Sequence, residues 1–231
     1  MKLVCITRAA LGITLVSNAG VFSAPFQNLN FEQAAIVPIS GTPVDPFGYS
    51  ASDAVRRWTL YIGPNQVNWV LYNNYFFEST GLGIHDMNSP MTPLSGNYSL
   101  FIQAKHELYN APNLIDASLT QTGFVPTNAR SLQFKARGGN FQVSLGRQPL
   151  SLVSLLSTPT YTTYGADITP FAATSSELRF NVIPFGALFL DSIEFSDQVV
   201  PEPGALALLL CGGLGWIVWR KFATRRCDGS L

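Results

Sequence analysis

Charge is the first thing this chain is short of. Of its 231 residues, 14 are Lys or Arg and 14 are Asp or Glu, 12% in all, against about 25% in an ordinary soluble domain. Hydrophobic residues make up 47%. Disorder needs the opposite balance, high charge with little apolar surface to bury, so a packed body is expected. There is no basic excess, which argues against nucleic acid as a partner, because phosphate backbones are held by a basic face. Histidine is limited to His85 and His106, and cysteine to Cys5, Cys211 and Cys227. These residues provide neither zinc-ligand spacing nor a disulfide framework. No stretch alternates strands with long amphipathic helices, so an α/β sheet is not expected. No repeat of fixed period appears, which argues against propellers and solenoids.

The two ends have a different character from the middle. Residues 1–24 read as a secretory signal peptide. Lys2 and Arg8 supply positive charge, Ala9–Val16 is a short apolar run, and small residues follow at Ser17, Ala19, Ser23 and Ala24. At the other end, Val200-Pro201-Glu202-Pro203 precedes the uncharged run Gly204–Trp219, and Arg220, Lys221, Arg225 and Arg226 follow. A spanning helix needs about 20 apolar residues, so this run reads as a short transmembrane helix with snorkelling Lys and Arg. Trp216 and Trp219 sit at its basic end, where aromatic rings favour the membrane interface, and the basic cluster stays cytoplasmic. Domain boundaries are therefore expected at 1–24, 25–199 and 200–231. None of the three cysteines falls in 25–199, so the body must hold together without a disulfide.

The ordered set at 200–231 resembles the PEP-CTERM sorting signal of exported proteins of Gram-negative bacteria. The resemblance implies a membrane-bound exosortase as processing partner and Pro201, Glu202 and Pro203 as recognition residues. It also implies an inner-membrane intermediate and a final place at the cell surface or in an extracellular polysaccharide matrix. A plain C-terminal membrane anchor is the alternative, and differs only in whether the helix is removed.

The body carries eight basic and twelve acidic residues, a net charge of −4. Its patterns are those of strands: alternation with β-branched and aromatic residues over 57–62, 67–72, 98–103, 117–121, 130–136, 140–146, 161–168, 176–182 and 187–195. Turn residues separate them, including Gly138-Gly139 and Pro184-Phe185-Gly186. The expected fold is all-β, an antiparallel jelly-roll sandwich. Phe31–Ser52 and Ser79–Pro93, rich in Pro and Gly, read as long loops, and Thr169–Thr174 as a single helical turn.

Asn28-Leu29-Asn30-Phe31-Glu32 at the start of the body and Leu188–Phe195 at its end resemble the opening and closing strands of galactose-binding-like, carbohydrate-binding-module-like jelly rolls. The run from Ser118 to Phe195 is also similar to the bodies of exported proteins bearing the same C-terminal signal. The first resemblance implies a structural calcium at Glu32 and Asp191, helped by Asn30, Asp45 and main-chain oxygens, because calcium takes six to eight oxygens. Bonding of both carboxylates to loop amides is the alternative.

The residues themselves suggest an aromatic sugar platform. Trp69, Tyr72 and Tyr75, with Asn73, form the densest group in which rings and planar polar side chains alternate. Burial of the same rings in the core is the competing reading. Hydrolysis finds no nucleophile motif, His85 reads as exposed, and carboxylates can be paired at will. The expectation is a non-enzymatic structural or adhesive surface protein. A polysaccharide-binding module is the alternative, and a secreted hydrolase the outsider.

Overall fold

The computed structural model of the protein describes residues 24–41, 48–74, 79–107 and 112–200. Residues 1–23 and 201–231, with the expected signal peptide and the sorting residues Pro201, Glu202, Pro203, Arg220, Lys221, Arg225 and Arg226, lie outside the described residues, as do Tyr75 and Asp45. Among the described residues no helix is long and apolar enough to cross a membrane.

In chain order the elements are β1 (Gly48–Ser50), α1 (Ala51–Ala54), β2 (Thr59–Ile62), β3 (Asn65–Val67), β4 (Trp69–Tyr72), β5 (Gly81–His85) and β6 (Ser99–Ala104). Then come β7 (Ala117–Phe124), β8 (Ser131–Leu145), β9 (Gln148–Pro149), β10 (Val153–Ser157), β11 (Thr162–Asp167), a 3₁₀ turn (Thr169–Phe171) and β12 (Ser175–Ser196). They form a sandwich in which β8 and β12 belong to both sheets. In the first sheet the order is β3, β2, β7, the first half of β12, the second half of β8, then β9. In the second it is β1, β4, β5, β6, the second half of β12, the first half of β8, β11, then β10. All pairings are antiparallel except β4 with β5, which is parallel.

The core lies between the sheets. Leu60, Leu119, Val143 and Phe180 of one sheet meet Leu82, Ile84, Leu100, Ile102, Phe134, Leu188 and Leu190 of the other. Phe134 and Phe180 close across the gap with ring centroids 5.1 Å apart, edge to face. Each such side chain contributes about 1.5–3 kcal/mol through burial, and the body needs no disulfide to reach it.

The expected all-β sandwich is present, and the places where the strands differ from expectation have physical causes. Residues 130–136 and 140–146 are one strand, β8, and 176–182 and 187–195 are one strand, β12. Gly138-Gly139 and Pro184-Phe185-Gly186 are therefore bends inside strands and not turns between them. Gly138 faces Leu188 in the ladder, at φ 119°, and a Cβ there would sit 2.0 Å from the Ala187 carbonyl oxygen. Gly186 mirrors it: a Cβ would sit 2.6 Å from the Asn140 carbonyl oxygen. The two strands bend side by side, and each supplies the glycine that lets the other's backbone approach. β5 was hidden inside the expected loop 79–93, because all five of its residues are buried, and a strand covered on both faces shows no alternation. The opening segment Asn28–Glu32 is a turn and not a strand. Asn28 and Phe31 have positive φ, and the Asn28 side-chain oxygen accepts the Gln33 amide proton. The predicted meeting of the two ends of the body still occurs: Ile193 donates its amide to the Leu29 carbonyl at 2.9 Å, and Phe26 stacks on Phe195 at 4.8 Å.

Because Gly139 has nothing within 4 Å of a notional Cβ, the two neighbouring glycines should respond oppositely. Gly138→Ala should lose about 3 kcal/mol or more of stability, whereas Gly139→Ala should change it by less than about 1 kcal/mol. Urea melts of both variants test this, and equal effects would contradict the backbone approach described here.

Candidate functional site

The outer face of the second sheet holds most of the polar chemistry. Alternation along β12 places Phe189 and Asp191 on that face, and the ladder sets Arg137 opposite Phe189 and Lys135 opposite Asp191 on β8. On β6 Phe101 lies opposite Phe189, and on β5 His85 lies opposite Ser99. His85, Phe101 and Phe189 are buried although they face away from the core. Their rings pack at 4.8–5.7 Å between centroids. Donors and acceptors on the same face tie the connection from Asp86 to Tyr98 across them.

That connection is held at four places. At its start Asp86 accepts from the Tyr72 hydroxyl, the Asn73 side-chain amide at 2.6 Å, and the amide and side chain of Asn88. Burial pushes the Asp86 carboxyl up, but these bonds outweigh it and hold the group below the usual carboxylate range. The same burial, with Asp86 beside it, raises the Tyr72 hydroxyl to about 12. Next, the His85 Nδ1 and the Ser89 hydroxyl lie 2.7 Å apart. Asp191, 1% exposed, then accepts from the Ser95 amide at 3.1 Å, the Ser99 hydroxyl at 2.6 Å and the Ser192 amide. Finally Glu32 accepts from the Asn97 amide and side chain, both at 2.8 Å, and from the Tyr98 amide.

Glu32 and Asp191 therefore share one task, fixing the far end of this loop. Their oxygens face N–H and O–H donors, which a cation would repel, so the donor set does not fit the calcium expected at this pair. Among the described residues no group of three or more His, Cys, Asp and Glu side chains converges as a metal site would require. Bonding to loop amides, weighed as the alternative, is what the geometry shows.

The expected aromatic platform does not assemble either. Trp69 and Tyr72 stand three residues apart on β4 and so point to opposite faces. Tyr72 turns inward, packing edge-on to Tyr49 at 5.4 Å, and its hydroxyl and the Asn73 amide are both committed to Asp86. His85 is also not the exposed loop residue expected: it is fully buried on β5.

A cleft lies at the opposite side of the second sheet, where β8 approaches β11. It has a volume of about 150 Å³ and is lined by Ala136, Arg137 and Gly138 of β8 and by Thr158–Thr162 and Tyr164 around the start of β11. The hydroxyl of Thr158 shapes its rim. It accepts from the Thr160 and Tyr161 amides and donates to the Tyr161 carbonyl. Lys135 sits 5.2 Å from the centre of the Tyr161 ring and donates to the Ser95 hydroxyl at 3.0 Å, joining the cleft to the pinned loop. Arg137 lies over Phe189, its guanidinium carbon 4.4 Å from the ring centre. A guanidinium held over a ring keeps its N–H donors for other partners, and no side-chain or backbone acceptor pairs with it among the described residues. Burial pulls the Arg137 pKa down from its ordinary value, so its charge is held at a cost that a bound acceptor would offset.

Sequence reasoning missed this cleft for a definite reason. Arg137 and Tyr161 are 24 positions apart and come together only through the pairing of β8 with β11. The local signal was a Lys-x-Arg alternation beside two glycines, which is weak.

No protein-family profile matches the chain, and no curated protein matches it. Superpositions on solved structures score low. The carbohydrate-binding module TmCBM61, solved with beta-1,4-galactotriose, superposes with a TM-score of 0.41 at 11% identity, over 74% of this chain and 95% of that one. The enzymatically active domain of bacteriophage CBA120 tailspike protein 4 gives 0.35 at 16% identity, over 60% of this chain and 19% of that one. A glycoside hydrolase family 43 arabinoxylan arabinofuranohydrolase from Bacillus subtilis, in complex with cellotetraose, gives 0.34 at 15%, over 59% of this chain and 29% of that one. The chain spans less than a third of the length of the latter two proteins.

Asp191 and His85 give opposite pH dependence. Burial raises the Asp191 carboxyl from 3.8 to about 6, so its contribution to stability is full below 3.8 and is lost as pH rises through 6. Burial, aided by Arg137, lowers His85 from 6.5 to about 4, so its contribution is full above 6.5 and is lost as pH falls through 4. The difference in stability between the native protein and Asp191→Asn isolates the first. It should shift in favour of the native protein by about 2 kcal/mol between pH 7 and pH 4. Denaturant melts at the two pH values test this, and a difference that stays constant would refute the assignment.

Proposed function

We propose that this is a non-catalytic glycan-binding protein of the cell surface or extracellular matrix, and that the cleft between β8 and β11 is where it holds a sugar. One observation carries the reading. The guanidinium of Arg137 sits over Phe189 with no acceptor paired to it among the described residues, at the wall of a cleft that also offers the Tyr161 ring and threonine hydroxyls. A pyranose presents a C–H face and a ring of hydroxyls, so its recognition calls for an aromatic surface, planar donors and small hydroxyl partners together. The cleft has all three.

The lining supports binding over hydrolysis. Glycoside cleavage needs two carboxylates flanking the bond, and none of the residues that line the cleft is acidic. The buried carboxylates nearest in the ladder are engaged with the loop. The role proposed is therefore adhesive, with an exopolysaccharide as partner and no nucleic acid, and Glu32 and Asp191 act as structural anchors that require no metal.

Export and sorting belong to the same proposal and rest on the sequence. The basic start and short apolar run of 1–24, and the Pro201-Glu202-Pro203, apolar stretch and Arg-rich tip of 200–231, support passage through an inner-membrane stage with an exosortase-type partner. A protein delivered in this way meets extracellular polysaccharide without needing a further domain.

A glycan array probed with the full chain tests the binding site. Tyr161→Ala should weaken retention on the bound glycans by about tenfold or more, since truncating an aromatic anchor at a binding site costs about 1–2 kcal/mol or more. Trp69→Ala should leave retention unchanged. Loss of binding in Trp69→Ala alone would move the site back to β4, and absence of binding to every glycan would end the reading.

A further inference from the structure

The chemistry of the cleft narrows the class of sugar, an inference that rests on the glycan-binding reading above. We propose that the cleft selects an acidic sugar, a uronic acid residue whose carboxylate docks on the outer edge of the Arg137 guanidinium while its ring lies against Tyr161.

The charge distribution is the first support. The body carries a net charge of −4, yet the cleft and its border hold two cations, Arg137 and Lys135, and no carboxylate lines it. The acid that neighbours Lys135 in the ladder, Asp191, is bonded to Ser95, Ser99 and Ser192 and shares the Lys135 charge, so Arg137 is the cation with no acid beside it. A cationic spot on an acidic surface attracts an anion locally without making the whole protein a polyanion binder.

Geometry is the second. A guanidinium held over an aromatic ring has one face covered and keeps its N–H edge. That edge presents parallel N–H donors at the spacing of the two oxygens of a carboxylate, and such fork-to-fork pairs are roughly twice as strong as neutral hydrogen bonds. Two sugar hydroxyls can accept the same protons, but they do not neutralise the charge. Phe189 and the neighbouring Phe101 and His85 fix the guanidinium from beneath, so little freedom is lost on binding. Lys135 adds a second positive charge on the same side, 5.2 Å from the Tyr161 ring centre.

The test compares acidic oligosaccharides with their own neutral counterparts. The full chain is titrated calorimetrically with oligomers of galacturonate, glucuronate and mannuronate, and with the same oligomers after reduction of the carboxyls to alcohols. At least one acidic oligomer should bind about tenfold or more tighter than its reduced form, and the gap should shrink as salt is raised. Arg137→Gln should abolish that gap, while Arg137→Lys, which keeps the charge but not the fork, should retain part of it. Thermal melts check that both variants stay folded, and the comparison of acid with alcohol on the native protein does not depend on them.

Equal binding of acidic and reduced oligomers, with Tyr161→Ala still weakening both, would overturn the acidic-sugar inference and leave the glycan reading standing. Displacement of the acidic oligomers by poly-glutamate at equal carboxylate concentration would overturn the sugar assignment in favour of a peptide carboxylate. Binding of no oligomer, acidic or neutral, would remove both.

Discussion

The bend shared by β8 and β12 is the constraint on which the rest of this structure depends. The two strands run together through both sheets and change sheet at the same level, with Gly138 against the Ala187 carbonyl and Gly186 against the Asn140 carbonyl. A side chain at either glycine would force the backbones apart. Because they stay together, the halves of each strand face one another across the core, and Phe134 in the first half of β8 reaches Phe180 in the first half of β12. The same continuity carries Arg137, one residue before the bend, to the edge of the cleft while Phe189 beneath it remains hydrogen-bonded in the centre of the sheet. Core and candidate site thus share one backbone device.

The outer face of the second sheet shows how a protein with few charges uses them. Three carboxylates, Asp86, Asp191 and Glu32, hold one connection in place, mostly through amide and hydroxyl donors and not through cations. Of these, Asp191 is the most buried and has its carboxyl raised, whereas Asp86 has its carboxyl lowered by bonds from Tyr72, Asn73 and Asn88. The contrast is one of donor number against desolvation. The connection in turn hides three aromatic rings that would otherwise form an apolar patch, and the Phe189 ring is the seat of Arg137. Loop, ring and guanidinium form one stack from the inside outward.

Much of the fold was legible in the residues. β2 and β11, each with a partly exposed face, declare themselves by alternation, and β6 and β7, though covered on both faces, by their β-branched, aromatic and alternating polar residues; each is found within a few residues of its expected place. β5 was not legible because both of its faces are covered, and a Gly-x-Gly start reads as loop. The bends at 138 and 186 were read as turns because glycine permits either, and only the ladder decides between them. Rings and amides cluster along Trp69–Asn74, but the alternation of β4 splits them between faces. Arg137, Tyr161 and Phe189 are scattered along the chain and are assembled by strand pairing alone. Glu32 and Asp191 were correctly linked as a pair, since they secure the same loop, though as acceptors for amides and not as ligands.

One further property follows from the position of β12. Among the described residues it is the last strand, yet it lies in the interior of both sheets, between β7 and β8 over 178–182 and between β6 and β8 over 187–190. Nearer Val200, residues 194–196 are laddered to β8 alone. Tension applied through the segment after Val200 would therefore meet that single ladder first, and the doubly bonded stretch that carries the core stands one ladder removed from the pull.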